Sequence, residues 1–255
     1  MTLTIVMNVA GAYVYTNSMG PVFNSYWKEA MDYLATKTPE NSNILSWWDF
    51  GYWFQTVGKR PSVTDGGFGI RDEVAHFFTA DPKNWTDYEP WLKGKYGVDY
   101  ILMDYSLPGK YGAISKISSD GKQIVGMLQF EPKQMYPQGN STIFEYNTGP
   151  YVLWLPMSES GGELKGTPML LVSENDQFYS KVYINDICST SGINTVGFEQ
   201  QSIGGCVAFT NFGIFYVPQE AEHTIFSVLM FMDGKGLPVE KVYDNQAIKI
   251  YKVIY

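Results

Sequence analysis

Two cysteines, two histidines and a charged fraction of 17% are small numbers for 255 residues, and each shortage closes a route. His76 and His223 stand alone, and no Cys-x-x-Cys or His-x-x-His spacing exists. A structural or catalytic zinc site built from its usual ligands is therefore excluded. The net charge is -8 and no run of five Lys or Arg occurs, so the chain lacks the basic patch that phosphate backbones require and nucleic acid is not a partner. No apolar run reaches the ~20 residues of a membrane helix. The nearest candidate, Leu3 to Tyr15, is too short, lacks the basic start of a signal peptide and reads as a linker. Repeats and low-complexity tracts are also missing.

What is present is apolar and aromatic. Hydrophobic residues make up 45% and aromatics 16%, enough for one large domain or two small ones with a substantial core. So many rings with so little charge suit a domain that hides much of its surface against something else, or one that works at a wet outer face where Tyr is favoured. Cys188 and Cys206, in a β-like region, are either two buried thiols or a disulfide.

The first 120 residues carry helical punctuation. "SYWKEAMDYLATKTPE" places Trp27, Ala30, Met31 and Leu34 at helical spacing and stops at Pro39. "NILSWW" predicts a short strand entering a turn at "DFG", and "VDYILMD" (98–104) a buried strand. "IRDEVAHFF" (70–78), "DYEPWLKGKYG" and "KYGAISKISS" (110–119) predict short helices. After Asp120 the texture becomes β-branched and alternating, from "KQIVGMLQF" to "AIKIYKVIY", with one helix near 220–232. The expectation is a mixed α+β fold: a helix-rich α/β core over 21–120 and a mostly antiparallel β portion over 121–255, packed as one globular unit.

"LSWWDFGYWF" (45–54) concentrates six aromatic residues around one carboxylate, Asp49. Asp-Phe-Gly holds magnesium in protein kinases, but the catalytic loop, the VAIK-type lysine and the Gly-rich loop are all missing. A plain reading fills a core with Trp47, Trp48, Tyr52, Trp53 and Phe54 and lets Asp49 cap the next helix. The alternative is a receptor for a hydroxyl. A carboxylate accepts the hydroxyl proton, an indole N–H donates to its oxygen, and rings keep water out.

"SWWDFGYW" resembles the WWDYG signature of the oligosaccharyltransferase catalytic subunit, with Phe50 where Tyr is usual. The resemblance extends through "AMDYLATKTPENSNILSWWDFGYWFQTVGKRPSVTDGG", including the Asp65-Gly66-Gly67 turn, and "IKIYKVIY" is similar to the last strand of archaeal members. The family's second motif, DxxKxxx(M/I), is matched in its KxxxI half by Lys110 and Ile114, which i to i+4 spacing puts on one helix face. Asp104 lies six residues before Lys110, and Leu107 occupies the motif's Asp position, so the motif leaves the role of Asp104 open.

The resemblance implies the short archaeal-type C-terminal soluble domain of a glycosyltransferase that moves a lipid-linked oligosaccharide to Asn in Asn-X-Ser/Thr. Trp47, Trp48 and Asp49 would hold the Ser/Thr hydroxyl, Lys110 would orient that pocket and Ile114 would touch the threonine methyl. Phe50, Gly51 and Tyr52 would support it. Residues 1–20 would link to a preceding transmembrane region in a multi-pass protein, with this domain on the extracellular face of the cell membrane. The catalytic Mn2+ or Mg2+ would sit in that region, so these residues need no cofactor and alone transfer nothing. The implied partners are the acceptor polypeptide and, through the membrane region, the lipid-linked oligosaccharide. Asn84 ("NWT") and Asn140 ("NST") are candidate glycosylation acceptors. A carbohydrate-binding module of an extracellular protein is the competing class. A glycoside hydrolase ranks last, because no carboxylate pair stands out.

Overall fold

The computed structural model describes residues 23–67, 69–158, 163–174 and 177–255; the linker read over 1–20 lies outside them. Helix α1 (Ser25–Lys37) buries Trp27, Ala30, Met31 and Leu34 on one face, and the Asn24 side chain caps it by accepting from Trp27 N. It ends at Thr38 because Pro39 disfavours helical geometry in the residue before it. The chain continues as β1 (Asn43–Leu45), a 3-10 turn (Trp48–Phe50), α2 (Gly51–Thr56), α3 (Arg71–Thr79), and α4 (Trp85–Glu89) extended by a π turn over Pro90–Lys95. Next come β2 (Val98–Asp104) and α5 (Leu107–Ser118). α5 starts three residues earlier than "KYGAISKISS" suggests, because Pro108 is tolerated in a first helical turn.

The middle of the chain is strand after strand: β3 (Leu128–Gln138), β4 (Ser141–Thr148), β5 (Tyr151–Met157), β6 (Met169–Glu174), β7 (Gln177–Ser189), β8 (Gly192–Thr195), β9 (Ser202–Thr210) and β10 (Gly213–Val217). Two short helices follow, α6 (Gln219–Glu222) and α7 (Ile225–Phe231), then β11 (Val239–Asp244) and β12 (Ile248–Val253). The single helix read near 220–232 is thus two, divided where Thr224 caps α7 by accepting from Ser227 N.

Two sheets result, in a mixed α+β fold. The first has the order β1-β2-β12-β11, with β1 and β2 parallel and the remaining pairs antiparallel. The second runs β6-β5-β4-β3-β10-β9-β7-β8, and an added β6–β7 pairing closes it on itself. Its pairings are antiparallel except β7 with β9. Alternation along the strands sends Phe130, Leu153, Leu155, Leu170, Ile184, Val207 and Ile214 into one cluster. The opposite face of β9 and β10 presents Cys206, Ala208, Phe215 and Val217 to the first unit, where they join one continuous core with Trp27, Ile101 and Phe226. All seven residues of α7 are buried in that seam. Each large side chain fully withdrawn from water contributes about 1.5–3 kcal/mol. Residue 120 separates the sheets for the middle of the chain but not for its end, because β11 and β12 return to the first sheet.

Candidate functional site

The parallel strands β1 and β2 end at the same edge of the first sheet, where αβ-type sheets place their sites. At that edge Ser46 Oγ donates to the Leu102 carbonyl at 2.7 Å, fastening the exit of β1 to β2. The chain then turns through Trp48–Phe50 into α2. Asp49 does not cap that helix, whose N-terminus has no side-chain cap. Its Oδ2 instead accepts from Lys110 Nζ, delivered by the first turns of α5 just beyond β2. The same ammonium lies 4.7 Å over the Phe50 ring.

The rings under this turn explain the composition of the signature. Phe50 packs on Trp27 at 4.7 Å and on Trp53 at 5.7 Å, and Trp27 meets Trp53 edge-on at 4.6 Å. They clamp α1 to α2 and give the turn a rigid apolar floor. Segment 61–63 runs beside β1, with Ile44 N donating to the Pro61 carbonyl and Val63 N to the Ile44 carbonyl, both at 2.9 Å. This brings the Asp-Gly-Gly turn onto α2. A Cβ at Gly51 would lie 2.2 Å from the Thr64 oxygen and 2.5 Å from Asp65 Cβ, so glycine is what allows the approach. Gln55 Nε2 donates to Asp65 Oδ2 at 3.1 Å, and Gly67 N to Asp65 Oδ1 at 2.9 Å.

Of the residues read from the sequence, Trp48, Asp49 and Lys110 meet at the surface of this edge, each only partly covered. Trp47 is 2% exposed and lies beneath them, its ring 6.3 Å from that of Trp48. Tyr52 is exposed and rests against Gly66. Ile114 departs from its reading. It is fully buried with Leu107 and Tyr111 on the inner face of α5, so the motif spacing that brings Lys110 to the site sends Ile114 into the core.

Sequence spacing also undervalued Asp104. It closes β2, is 1% exposed, and accepts at Oδ1 from Ser106 N at 2.8 Å and from Ser106 Oγ. Oδ2 is buried with no partner in hydrogen-bonding geometry. Burial pushes the carboxyl above its ordinary range, against the Ser106 hydrogen bonds, the Lys110 charge and the nearby Trp27 indole. Asp104 is thus a buried acid behind Lys110. The Asp signal was in the sequence, but the tight turn at 105–106 puts it at a strand end instead of on the helix.

Elsewhere, Cys188 and Cys206 form a disulfide joining β7 to β9. Asn84 and Asn140 are exposed, the first in the turn Pro82–Asn84 and the second in the β3–β4 hairpin. Among the described residues no group of three or more His, Cys, Asp or Glu side chains could hold a metal ion, and no helix is long and apolar enough to cross a membrane. A cleft of about 700 Å³ contains none of the signature residues; it lies where the β9–β10 turn faces the β11–β12 turn.

No family profile matches the chain. Similarity to individual proteins covers only part of the chain. The chain is 35% identical over 96 residues to dolichyl-phosphooligosaccharide-protein glycotransferase 1 of Pyrococcus furiosus, covering 36% of this chain and 9% of the relative. It is 42% identical over 50 residues to the dolichyl-phosphooligosaccharide-protein glycotransferase of Methanocaldococcus jannaschii, covering 20% and 5%. The matches span 5% to 15% of the first four relatives. The crystal structure of the C. jejuni PglB C-terminal domain superposes with a TM-score of 0.54 at 12% identity, over 89% of this chain and 98% of that one, which shows a shared fold. The relatives therefore bear out the resemblance carried by WWDFG.

Proposed function

We propose that this chain, a relative of the archaeal glycotransferases, is the C-terminal globular domain of a membrane oligosaccharyltransferase and recognises the acceptor through the edge formed by Trp48, Asp49 and Lys110. The observation that carries the reading is the convergence of Asp49 and Lys110, 61 residues apart, on one partly open rim. With Oδ2 engaged by Lys110, the carboxylate keeps further acceptor capacity for the hydroxyl of a Ser or Thr side chain. The adjoining indole of Trp48 and the floor of Trp47 and Phe50 restrict water on the other side. A hydrogen bond between an alcohol and a charged acceptor contributes about 1.5–3 kcal/mol, enough to distinguish Thr from Ala.

The domain positions the acceptor and does not perform the transfer. A Mn2+ or Mg2+ ion does not fit this rim, because the Asp49 carboxylate faces an ammonium and Asp104 is buried against Ser106. We infer that the metal, the lipid-linked oligosaccharide and the membrane spans belong to residues outside the matched segments, with this domain on the extracellular side. The chain alone then carries no glycosyl transfer. In this reading Ile114 supports the rim from the core.

Asp49→Asn in the intact membrane enzyme tests this. Transfer to a peptide containing Asn-Val-Thr should fall by at least about tenfold, the loss of one such charged hydrogen bond. Transfer at the unsubstituted rate overturns the proposal.

A further inference from the structure

The cleft of about 700 Å³ belongs to no part of the rim, and its walls have a definite chemistry. On one side the Tyr105 and Phe212 rings stack at 4.4 Å and 26°. Phe209, at the end of β9, leaves 45% of its surface open. Around the rings stand Thr190, Asn211 and Gln246, all exposed. The floor is stapled by the Cys188–Cys206 disulfide.

The charged groups at the back are already spent on one another. Asp233 accepts from Lys241 and Lys249, both at 2.7 Å. Asp244 accepts from Lys241 at 2.8 Å and from Gln246 N at 2.8 Å. Two lysines against two aspartates leave the wall electrically neutral. A metal ion finds no uncommitted carboxylate pair there. An anion meets lysines already paired, and the C-terminal end of α7, whose Met230 carbonyl takes a second Lys249 bond at 3.0 Å, presents partial negative charge. At β9 and β10 an extended peptide has no free strand edge to join, since each is paired on both sides.

We propose that this cleft binds a neutral oligosaccharide. A pyranose offers C–H faces that suit the negative faces of aromatic rings, and hydroxyls that both donate and accept beside Thr, Asn and Gln side chains. The volume falls within the range of ligand pockets and accommodates a short saccharide. The site is independent of the acceptor reading: its residues, its ligand and its test share nothing with Asp49.

Saturation-transfer NMR and calorimetric titration of this chain with N,N′-diacetylchitobiose and with mannotriose test the proposal. Saturable binding of at least one of them is expected, weakened about tenfold or more by Phe209→Ala and by Asn211→Ala and untouched by Asp49→Asn. Both substituted positions are exposed, and an unchanged near-ultraviolet dichroism spectrum verifies that the variants fold. Absence of binding by both saccharides, or binding that neither variant weakens, overturns the proposal. Displacement of a bound saccharide by an Asn-Val-Thr peptide would assign the cleft to polypeptide and overturn it as well.

Discussion

Lys110 places its ammonium on the Asp49 carboxylate and, 4.7 Å away, over the face of Phe50. Both charged side chains keep part of their surface in water, 33% for Lys110 and 23% for Asp49. Solvent screening therefore holds the pair to about 1 kcal/mol or less of folding stability. The consequence is a split between two readouts. Lys110→Met should move the thermal unfolding free energy by no more than about 1 kcal/mol, while clearly changing the affinity for a threonine sequon peptide. A large loss of stability with unaltered peptide affinity would show a purely structural lysine.

The two glycines at the signature differ in what surrounds them. Gly51→Ala drives a Cβ into the Thr64 backbone oxygen at 2.2 Å, and backbone cannot step aside. Overpacking of this kind costs about 1–3 kcal/mol and should displace the Asp-Gly-Gly turn. At Gly66 the obstacle is the Tyr52 ring at 2.7 Å, and that side chain is 54% exposed and free to rotate away. Gly66→Ala should therefore be the milder change in urea unfolding. Equal losses at the two positions would contradict this packing.

Two buried acids give opposite pH signatures. The folded-state pKa of Asp104 is raised above 3.8 by burial. Its contribution to stability is complete below pH 3.8 and declines as pH rises through the folded value. Asp104→Asn, which keeps an acceptor for Ser106 but does not titrate, should gain on the unsubstituted protein as pH rises from 3.5 to 7. Glu145 behaves the other way. It is 3% exposed, and although burial would raise its pKa, hydrogen bonds from Lys133, Trp154 and Gln134 bring it below 4.5. That stabilisation is present above pH 4.5 and lost as pH falls through the folded value. Glu145→Gln should be most destabilising near pH 7 and approach the unsubstituted protein in acid. Urea midpoints across this range check both signs.

The disulfide spans 18 positions. By the chain-entropy argument it stabilises the fold by about 3 kcal/mol. The double variant Cys188→Ala/Cys206→Ala should lose an amount of that order in urea unfolding. Both sulfurs are buried, so the native protein should resist reduction until it opens.

What the sequence disclosed follows from how local its signals are. The apolar spacing of α1 and the unbroken run of β2 are properties of a few neighbouring residues, and both elements form where the pattern places them. β11 escaped because half-exposed strands such as "VEKVYD" carry no continuous apolar run; it is defined by pairing with β12. The alternating run "KQIVGMLQF" became a strand only from Leu128 onward, since its earlier residues find no partner strand. At the rim, Asp49 and Lys110 could be named because each sits in a motif. Ile114 was misplaced, and Asp104 was left without an assigned role, because a motif fixes spacing along the chain, whereas α5 begins after a tight turn and decides inward and outward faces by its own rotation.

The account depends most on Asp49 receiving an alcohol. Two-dimensional amide and indole NMR of this chain, titrated with Ala-Asn-Val-Thr and Ala-Asn-Val-Ala peptides, measures that directly. The account predicts shifts at the Trp48 indole and the Asp49 amide with the threonine peptide, binding at least about tenfold weaker for the alanine peptide, and loss of the difference in Asp49→Asn. Equal binding of the two peptides, or shifts confined to residues away from this rim, would contradict it.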